Sequence, residues 1–397
     1  MQESKTTQGN LSLNHILKLT KGDFVIWMVV VLLTLFSIAT IYSATGTLAY
    51  QKKAGHTEYY LIKQLLFVSV GFAIIYFSHL LDYRYYSRIA QILLFISIPL
   101  LLYTLIFGSD VNDARRWITL PIINTSFQTS DLAKIALIMF VARQLSRKQE
   151  DIKDFKRAFL PILAAVALVC LLILPANFST AAVLFSTCLL IMFIGRIKLL
   201  YLVGLLAGSI ILVGLTIFIA LQFFPEVGRV KTWQKRVETY MQDETGGSYQ
   251  NQQAKIAIAT GGVFGKGPGR STQRNFLPNP YADFIYATII EEYGLFGGFV
   301  IILLYLILLF RAIRIVIKSP KAFGALLAVG LSFSLVIQAV INMGVAVNIF
   351  PVTGLPLPLV SMGGTSLWFT CFAFGIILSV SRNIEEIEAD QLTAATA

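Results

Sequence analysis

Apolar stretches close to the length that crosses a bilayer follow one another from Phe24 to Ser381, and they leave little chain from which a water-soluble core could be built. A helix needs about 20 predominantly apolar residues to span the hydrocarbon layer. The chain is 56% hydrophobic and only 13% charged, against about 25% charged residues in soluble domains. It therefore reads as an all-α, polytopic integral membrane protein.

Ten spans are predicted, near 24–46, 60–80, 89–108, 130–145, 158–174, 180–195, 200–223, 284–310, 323–345 and 365–381. The first is too long for a signal-peptide core and follows a polar leader, 1–23, so it reads as a retained span. An even number puts both termini on one side, and charge selects the side. With the N-terminus inside, short cytoplasmic loops hold fourteen Lys and Arg, among them Arg143, Lys153 and Arg314; short outer loops hold four, Lys52, Lys53, Arg115 and Arg116. That bias places both ends in the cytoplasm. The map divides the chain into a leader (1–23), a membrane domain (24–381) and a cytoplasmic tail (382–397) whose acidic run "EEIEAD" reads as a solvated end. Between the seventh and eighth spans lies a long outer loop, 224–282, basic and glycine-rich; a mere connector would not need that length.

The net charge of +11 does not indicate nucleic acid, because the basic residues lie between apolar runs, where they orient the chain in a membrane. Cys170, Cys188 and Cys371 fall inside apolar runs and imply no disulfide framework. His15, His56 and His79 lack metal-ligand spacing. No metal site is expected from these residues.

The ionisable residues that matter are those at the edges of the spans. Lys63, Asp131, Lys134, Asp283, Glu291 and Glu292 each fall toward the outer end of a span. Charge in a membrane is costly and marks a functional site by default. A transporter would gather such groups near the midplane; here they form an outer layer, suited to a substrate lodged in the outer leaflet. Lys63 could equally snorkel to the interface, and Asp131 and Lys134, three apart, could simply pair.

Three segments could wall such a site. In "NDARRWITLPIINTSFQTSDLAK" (112–134), a polar turn opening into a helix, two arginines stand beside Trp117 and offer a planar fork for phosphate. In "ATGGVFGKGPGRSTQRNFLP" (259–278) glycines alternate with Lys266, Arg270 and Arg274, a pattern that can make an anion-binding nest or a flexible loop. In "NIFPVTGLPLPLVSMGG" (348–364) prolines preclude a regular helix, and irregular backbone at membrane depth must be buried or line a wet cavity.

At these segments the sequence resembles the SEDS (shape, elongation, division, sporulation) membrane glycosyltransferases, most closely through "ARRWI", "FQTSDLAK", "YQNQQAKIAIATGGVFGKGPGRSTQ", "LPNPYADFIYATIIEEYG" and "FPVTGLPLPLVSMGGTSL". "ARRWI" and "RSTQRNFLP" are more like the division branch, FtsW, than the elongation branch, RodA. The resemblance implies polymerisation of lipid II, the undecaprenyl-pyrophosphate-linked disaccharide-peptide, outside the bacterial inner membrane. It also implies a class B penicillin-binding protein as partner, together with other division proteins. It makes Asp283 the critical acid and places the family's Arg-Trp pair on Arg116 and Trp117 and its lysine on Lys134. Lys63, Lys266, Arg270, Ser271 and Gln273 are further substrate-binding candidates; Glu291, Glu292 and Ser361 are supporting residues. The chain departs from the pattern in having Thr129-Ser130-Asp131 for the family's usual Pro-Ser-Glu, Ala176-Asn177 for Pro-Asp, and Asn279 for the Glu after Leu-Pro.

A pyrophosphate leaving group needs no proton donor once its charge is neutralised, so one carboxylate can suffice where glycoside hydrolysis uses two. Asp283 would deprotonate the attacking sugar hydroxyl while Arg116, Lys134 and the basic glycine loop hold pyrophosphate. A divalent cation such as Mg2+ or Mn2+ could share that task; the sequence offers no dedicated site for it and makes no cofactor certain. A lipid II flippase, an elongation-type polymerase and a non-catalytic division scaffold are the alternatives.

Overall fold

The structure, a computed structural model, describes residues 21–52, 56–111, 114–120, 125–223 and 249–396. The leader 1–20 and the part of the long loop at 224–248 lie outside the described residues. Among the described residues twelve α-helices follow in order: α1 (Phe24–Ala44), α2 (Gly46–Lys52), α3 (Thr57–Leu80), α4 (Tyr83–Phe107), α5 (Thr129–Arg147), α6 (Leu160–Ile173), α7 (Phe178–Ile194), α8 (Leu199–Phe223), α9 (Tyr249–Gly261), α10 (Ile285–Lys318), α11 (Ala322–Ala346) and α12 (Thr365–Thr396).

Eight helical segments among the described residues are long and apolar enough to cross a membrane. The other two expected spans fall on α7, which has 17 residues, and on α5, which carries Asp131, Lys134 and Arg143. Those charges are tolerated because α5 sits at the centre of the bundle, packed by α4, α6, α7 and α11, where each charge has a partner. Lys134 pairs with Asp131, and Arg143 donates to the Ser87 carbonyl. By contrast α8 packs chiefly along α7 and leaves most of its apolar surface outward, as a lipid-facing helix can.

The helices are tied together at two levels. At one, Asp23 caps α1 by accepting from Val25 N at 2.9 Å, and it also pairs with Arg311 at 2.5 Å. At the other, Ser43 bonds Glu292. Along α1 these levels are about 30 Å apart at 1.5 Å per residue, the thickness of a hydrocarbon core. The acidic tail belongs to the first level. It does not fray: α12 runs on through it because Glu386, Glu388 and Glu385 meet Lys21, Lys318 and Gly22 N respectively.

Two local readings are corrected. The stretch expected as a polar turn opening into a helix forms a three-stranded antiparallel sheet, β1 (Ser109–Val111), β2 (Ala114–Leu120) and β3 (Thr125–Gln128), in order β1-β2-β3 with Trp117 opposite Gln128. The β-branched and aromatic residues of "RRWITL" and "TSF" favour this pleat. The eighth span is also not one straight rod, because α10 breaks at Gly294 (φ 71°, ψ −174°). The 285–293 arm folds back so sharply that the Tyr286 hydroxyl donates to Gly298 O at 3.2 Å, residues about 18 Å apart along an unbroken helix.

Candidate active site

A cavity of about 320 Å3 opens at the end of the bundle that carries the sheet. Its walls are the N-terminal part of α3 (Lys63, Gln64, Phe67), the sheet (Arg116, Trp117, Ser126, Gln128), α5 (Asp131, Lys134), the start of α7 (Asn177, Thr180), the turn before α10 (Tyr281, Ala282, Asp283), Gln338 of α11 and the 354–366 segment. Thus Asp283, Arg116, Trp117, Lys134 and Lys63, drawn from four separate elements of the sequence, share one hollow. The Pro-rich segment lines it through Gly354, Leu355, Pro356 and Met362.

Each cation is held by its neighbours. Lys134 Nζ donates to Gln338 Oε1 at 2.9 Å and lies 3.7 Å from Asp131 Oδ1, both groups being buried. Arg116 Nε donates to Ala176 O at 2.7 Å, which ties the sheet to the turn between α6 and α7. Lys63 lies 6.0 Å above the Phe67 ring. The cavity therefore brings these cations together with two carboxylates, Asp131 and Asp283.

Asp283 is not on α10 but in the turn before it, and the carbonyls of that turn are each taken. Met362 N donates to Tyr281 O at 2.9 Å, Ser361 Oγ to Ala282 O at 2.7 Å, and Asn342 Nδ2 to Asp283 O at 3.0 Å. Burial, the Tyr60 hydroxyl and the Asp283 carboxylate together raise the Tyr281 phenol above its ordinary value. Two departures from the family pattern are also explained here. Asn177 caps α7 by accepting from Thr180 N, as an aspartate could. Asn279 sits at φ 54°, a left-handed conformation that Asn tolerates better than Glu.

The glycine loop is elsewhere. Lys266, Ser271 and Gln273, expected to hold substrate, instead serve Glu291. Its carboxylate accepts from Lys266 Nζ at 2.6 Å, Ser271 Oγ at 2.5 Å, Thr272 N at 3.0 Å, Thr272 Oγ1 at 2.9 Å and Gln273 N at 3.2 Å. Arg270 is exposed on the same loop and does not line the cavity. The anion cradled by these donors is the protein's own carboxylate, because Glu291 is fully buried and a buried charge must be paired. Glu292 is tied to Ser43 and to Ser271 N.

The break at Gly294 completes this splice. The amides of Lys266 and Gly267 donate to the Glu291 and Glu292 carbonyls at 2.9 Å each, while Leu295 N and Phe296 N donate to Gly262 O and Val263 O. A Cβ on Gly294 would lie 2.1 Å from Val263 O, and one on Gly265 would lie 2.2 Å from Glu292 O. Only glycine permits two backbones to approach this closely.

Residues 23–386 match the family described as "Cell cycle protein", that of FtsW, RodA and SpoVE. The chain belongs to this family. It is 35% identical over 372 residues to a probable peptidoglycan glycosyltransferase FtsW of Trichlorobacter lovleyi, covering 93% of this chain and 95% of the relative. It is equally 35% identical to the stage V sporulation protein E of Bacillus subtilis, covering 92% and 98%. A solved structure described as "Structural coordination of polymerization and crosslinking by a peptidoglycan synthase complex" superposes with a TM-score of 0.70 at 25% identity, covering 91% of this chain and 98% of the other. The fold of the FtsW/RodA/SpoVE family is thus present along nearly the whole chain, and the protein is a membrane protein.

Sequence reasoning gathered ionisable residues and so missed the amides at this site. Gln64, Gln128, Gln338 and Asn342 are all placed in or beside the cavity. A polar residue inside an apolar span is itself a signal, and "IQAVIN" carries two at a spacing of four.

Proposed function

We propose that the protein is a peptidoglycan glycosyltransferase that polymerises lipid II on the outer face of the bacterial inner membrane, for septal synthesis in cell division. The observation that carries this reading is the shared cavity in which Asp283 meets Lys134, Arg116 and Lys63 at one end of a membrane bundle. Membership of a family whose members include named glycosyltransferases supports it.

In this mechanism Asp283 accepts the proton of the attacking sugar hydroxyl as that oxygen bonds to the donor's anomeric carbon. The bond from that carbon to the pyrophosphate oxygen breaks, and undecaprenyl pyrophosphate leaves with the electron pair. Lys134 and Arg116 neutralise the departing charge, and preorganised donors of this kind commonly supply more of an enzyme's rate enhancement than any other effect. Among the described residues no cluster of three or more His, Cys, Asp or Glu could hold a metal ion. A Mg2+ or Mn2+ carried by pyrophosphate would have Asp131, rather than the base Asp283, as its carboxylate neighbour in the cavity. It would supply further neutralisation of the leaving group.

The cavity end is extracytoplasmic in this reading, with ten crossings and both termini in the cytoplasm, in keeping with the loop charge bias. A class B penicillin-binding protein is the partner that would cross-link the product. Purified protein incubated with lipid II in vesicles is expected to yield glycan polymer. Translocation of lipid II without polymer would identify a flippase, and neither product would identify a scaffold.

A further inference from the structure

Asn342 does not line the cavity, is 1% exposed and lies in a largely apolar helix, where an amide is expensive unless it is used. Its Nδ2 donates to two backbones at once, to Asp283 O at 3.0 Å and to Leu355 O at 2.7 Å. One turn earlier on α11, Gln338 also bridges two elements from the same face. Its Nε2 donates to Pro356 O at 2.8 Å while its Oε1 accepts from Lys134 Nζ at 2.9 Å. The two amides thus hold consecutive carbonyls of the Pro-rich segment and, through their remaining bonds, two of the cavity's charged residues, the Lys134 ammonium and the Asp283 backbone.

The Pro-rich segment closes the frame. Having no regular helix, it cannot fix its own shape by a hydrogen-bond ladder. Ser361 Oγ accepts from Leu357 N at 2.8 Å and donates to Ala282 O, one residue before Asp283. Asp283 and Lys134, which approach from a turn and from a different helix, are therefore referenced to one rigid element through amides four residues apart.

We propose that Asn342, with Gln338, is a positioning residue for glycosyl transfer: it sets the place of the Asp283 carboxylate relative to the Lys134 ammonium. The proposal rests on the reading of Asp283 as the base. A side-chain hydrogen bond between membrane helices could instead serve stability alone, and the two roles separate kinetically. A displaced base lowers kcat without weakening substrate binding, and an ångström of misplacement can cost about 100-fold. A merely structural amide changes the folded fraction and leaves kcat per folded molecule intact.

The test uses the purified full chain with lipid II, with protein normalised to the folded, monodisperse fraction. Asn342→Asp keeps the shape but, as a protonated acid with one O–H, cannot donate to both carbonyls; Asn342→Ala removes shape and donor together. Both are expected to lower kcat about 10- to 100-fold with KM within about twofold of wild type, and Asn342→Gln, which restores a donor on a longer stem, to regain part of the rate. Gln338→Ala is expected to lower kcat and to add little in a Lys134→Ala background, since both remove one positioned ammonium. Should Asn342→Asp and Asn342→Ala fail to fold, Asn342→Gln decides for Asn342 by a kcat below wild type at unchanged KM, and the Gln338→Ala and Lys134→Ala pair decides for Gln338. Wild-type kcat in the Asn342 variants, or additive losses in the pair, would overturn the proposal. Asp283→Asn run alongside separates the two readings: if it is inactive while Asn342→Asp is normal, positioning fails alone, and if Asp283→Asn is normal, the base assignment itself has failed.

Discussion

Asp283 and Glu291 lie eight residues apart, one in the turn before α10 and the other within its first arm, yet the fold treats them oppositely. Glu291 is fully buried and its carboxylate accepts from a lysine, two hydroxyls and two backbone amides. Asp283 is partly exposed and lines the cavity, and it is its backbone carbonyl that the neighbouring Asn342 holds. A carboxylate whose lone pairs are all engaged by the protein is a structural element. The one that lines a hollow together with Lys63, Arg116 and Lys134, in a turn whose backbone is fixed, is the one we propose for chemistry.

The contrast can be broken from the structural side first. Glu291→Ala would leave Lys266 and the Ser271–Gln273 donors without their acceptor. Lys266 is partly exposed and can turn to water, so the cost falls mainly on the buried Ser271 hydroxyl left without an acceptor, on the order of 1–3 kcal/mol, and a fall in the thermal midpoint of the detergent-solubilised protein is expected. Gly294→Ala attacks the same splice from the backbone. Its conformation is nearly exclusive to glycine, with strain of about 1–3 kcal/mol, and the Val263 carbonyl stands where the methyl would go. Protease sensitivity of the 262–273 loop should rise, and an unchanged cleavage pattern would show that the splice does not hold the loop.

At the cavity the expected effects are smaller and concern rate. Arg116→Ala should reduce polymerisation more than Arg116→Lys, because lysine keeps the charge but loses both the fork and the Nε bond to Ala176 O. Equal activity of both variants with wild type would make Arg116 an interface anchor. Asn177→Asp should be close to silent in stability, since either side chain can cap α7; a change beyond about 0.5 kcal/mol would show that the cap is not its role.

Much of this was legible in the sequence. Long apolar runs pointed to the helices, and the charged residues at their ends named the charged lining of the cavity, because a charge near a membrane is kept only where it is used. Two features were hidden for definable reasons. The glycine loop has the composition of a phosphate nest, and nothing local reveals that its anion is Glu291, twenty residues downstream of Ser271. The break at Gly294 is masked by the apolar residues on both sides, which preserve helical hydropathy across a point where the backbone is not helical. The sheet was missed because 114–128 is short, and its pairing rather than its propensity defines it.

The most direct measurement compares Asp283→Asn with Glu291→Gln in parallel, each purified, with the thermal midpoint and lipid II turnover determined on the same sample. The account predicts that Asp283→Asn keeps the wild-type midpoint and loses at least about 100-fold in turnover, the contribution of a general base. It predicts that Glu291→Gln lowers the midpoint and keeps turnover per folded molecule within about tenfold of wild type, less than the loss of a base would cost. Near-normal glycan synthesis by Asp283→Asn, free of contaminating polymerase, would contradict it, as would a Glu291→Gln protein that is fully stable and inactive.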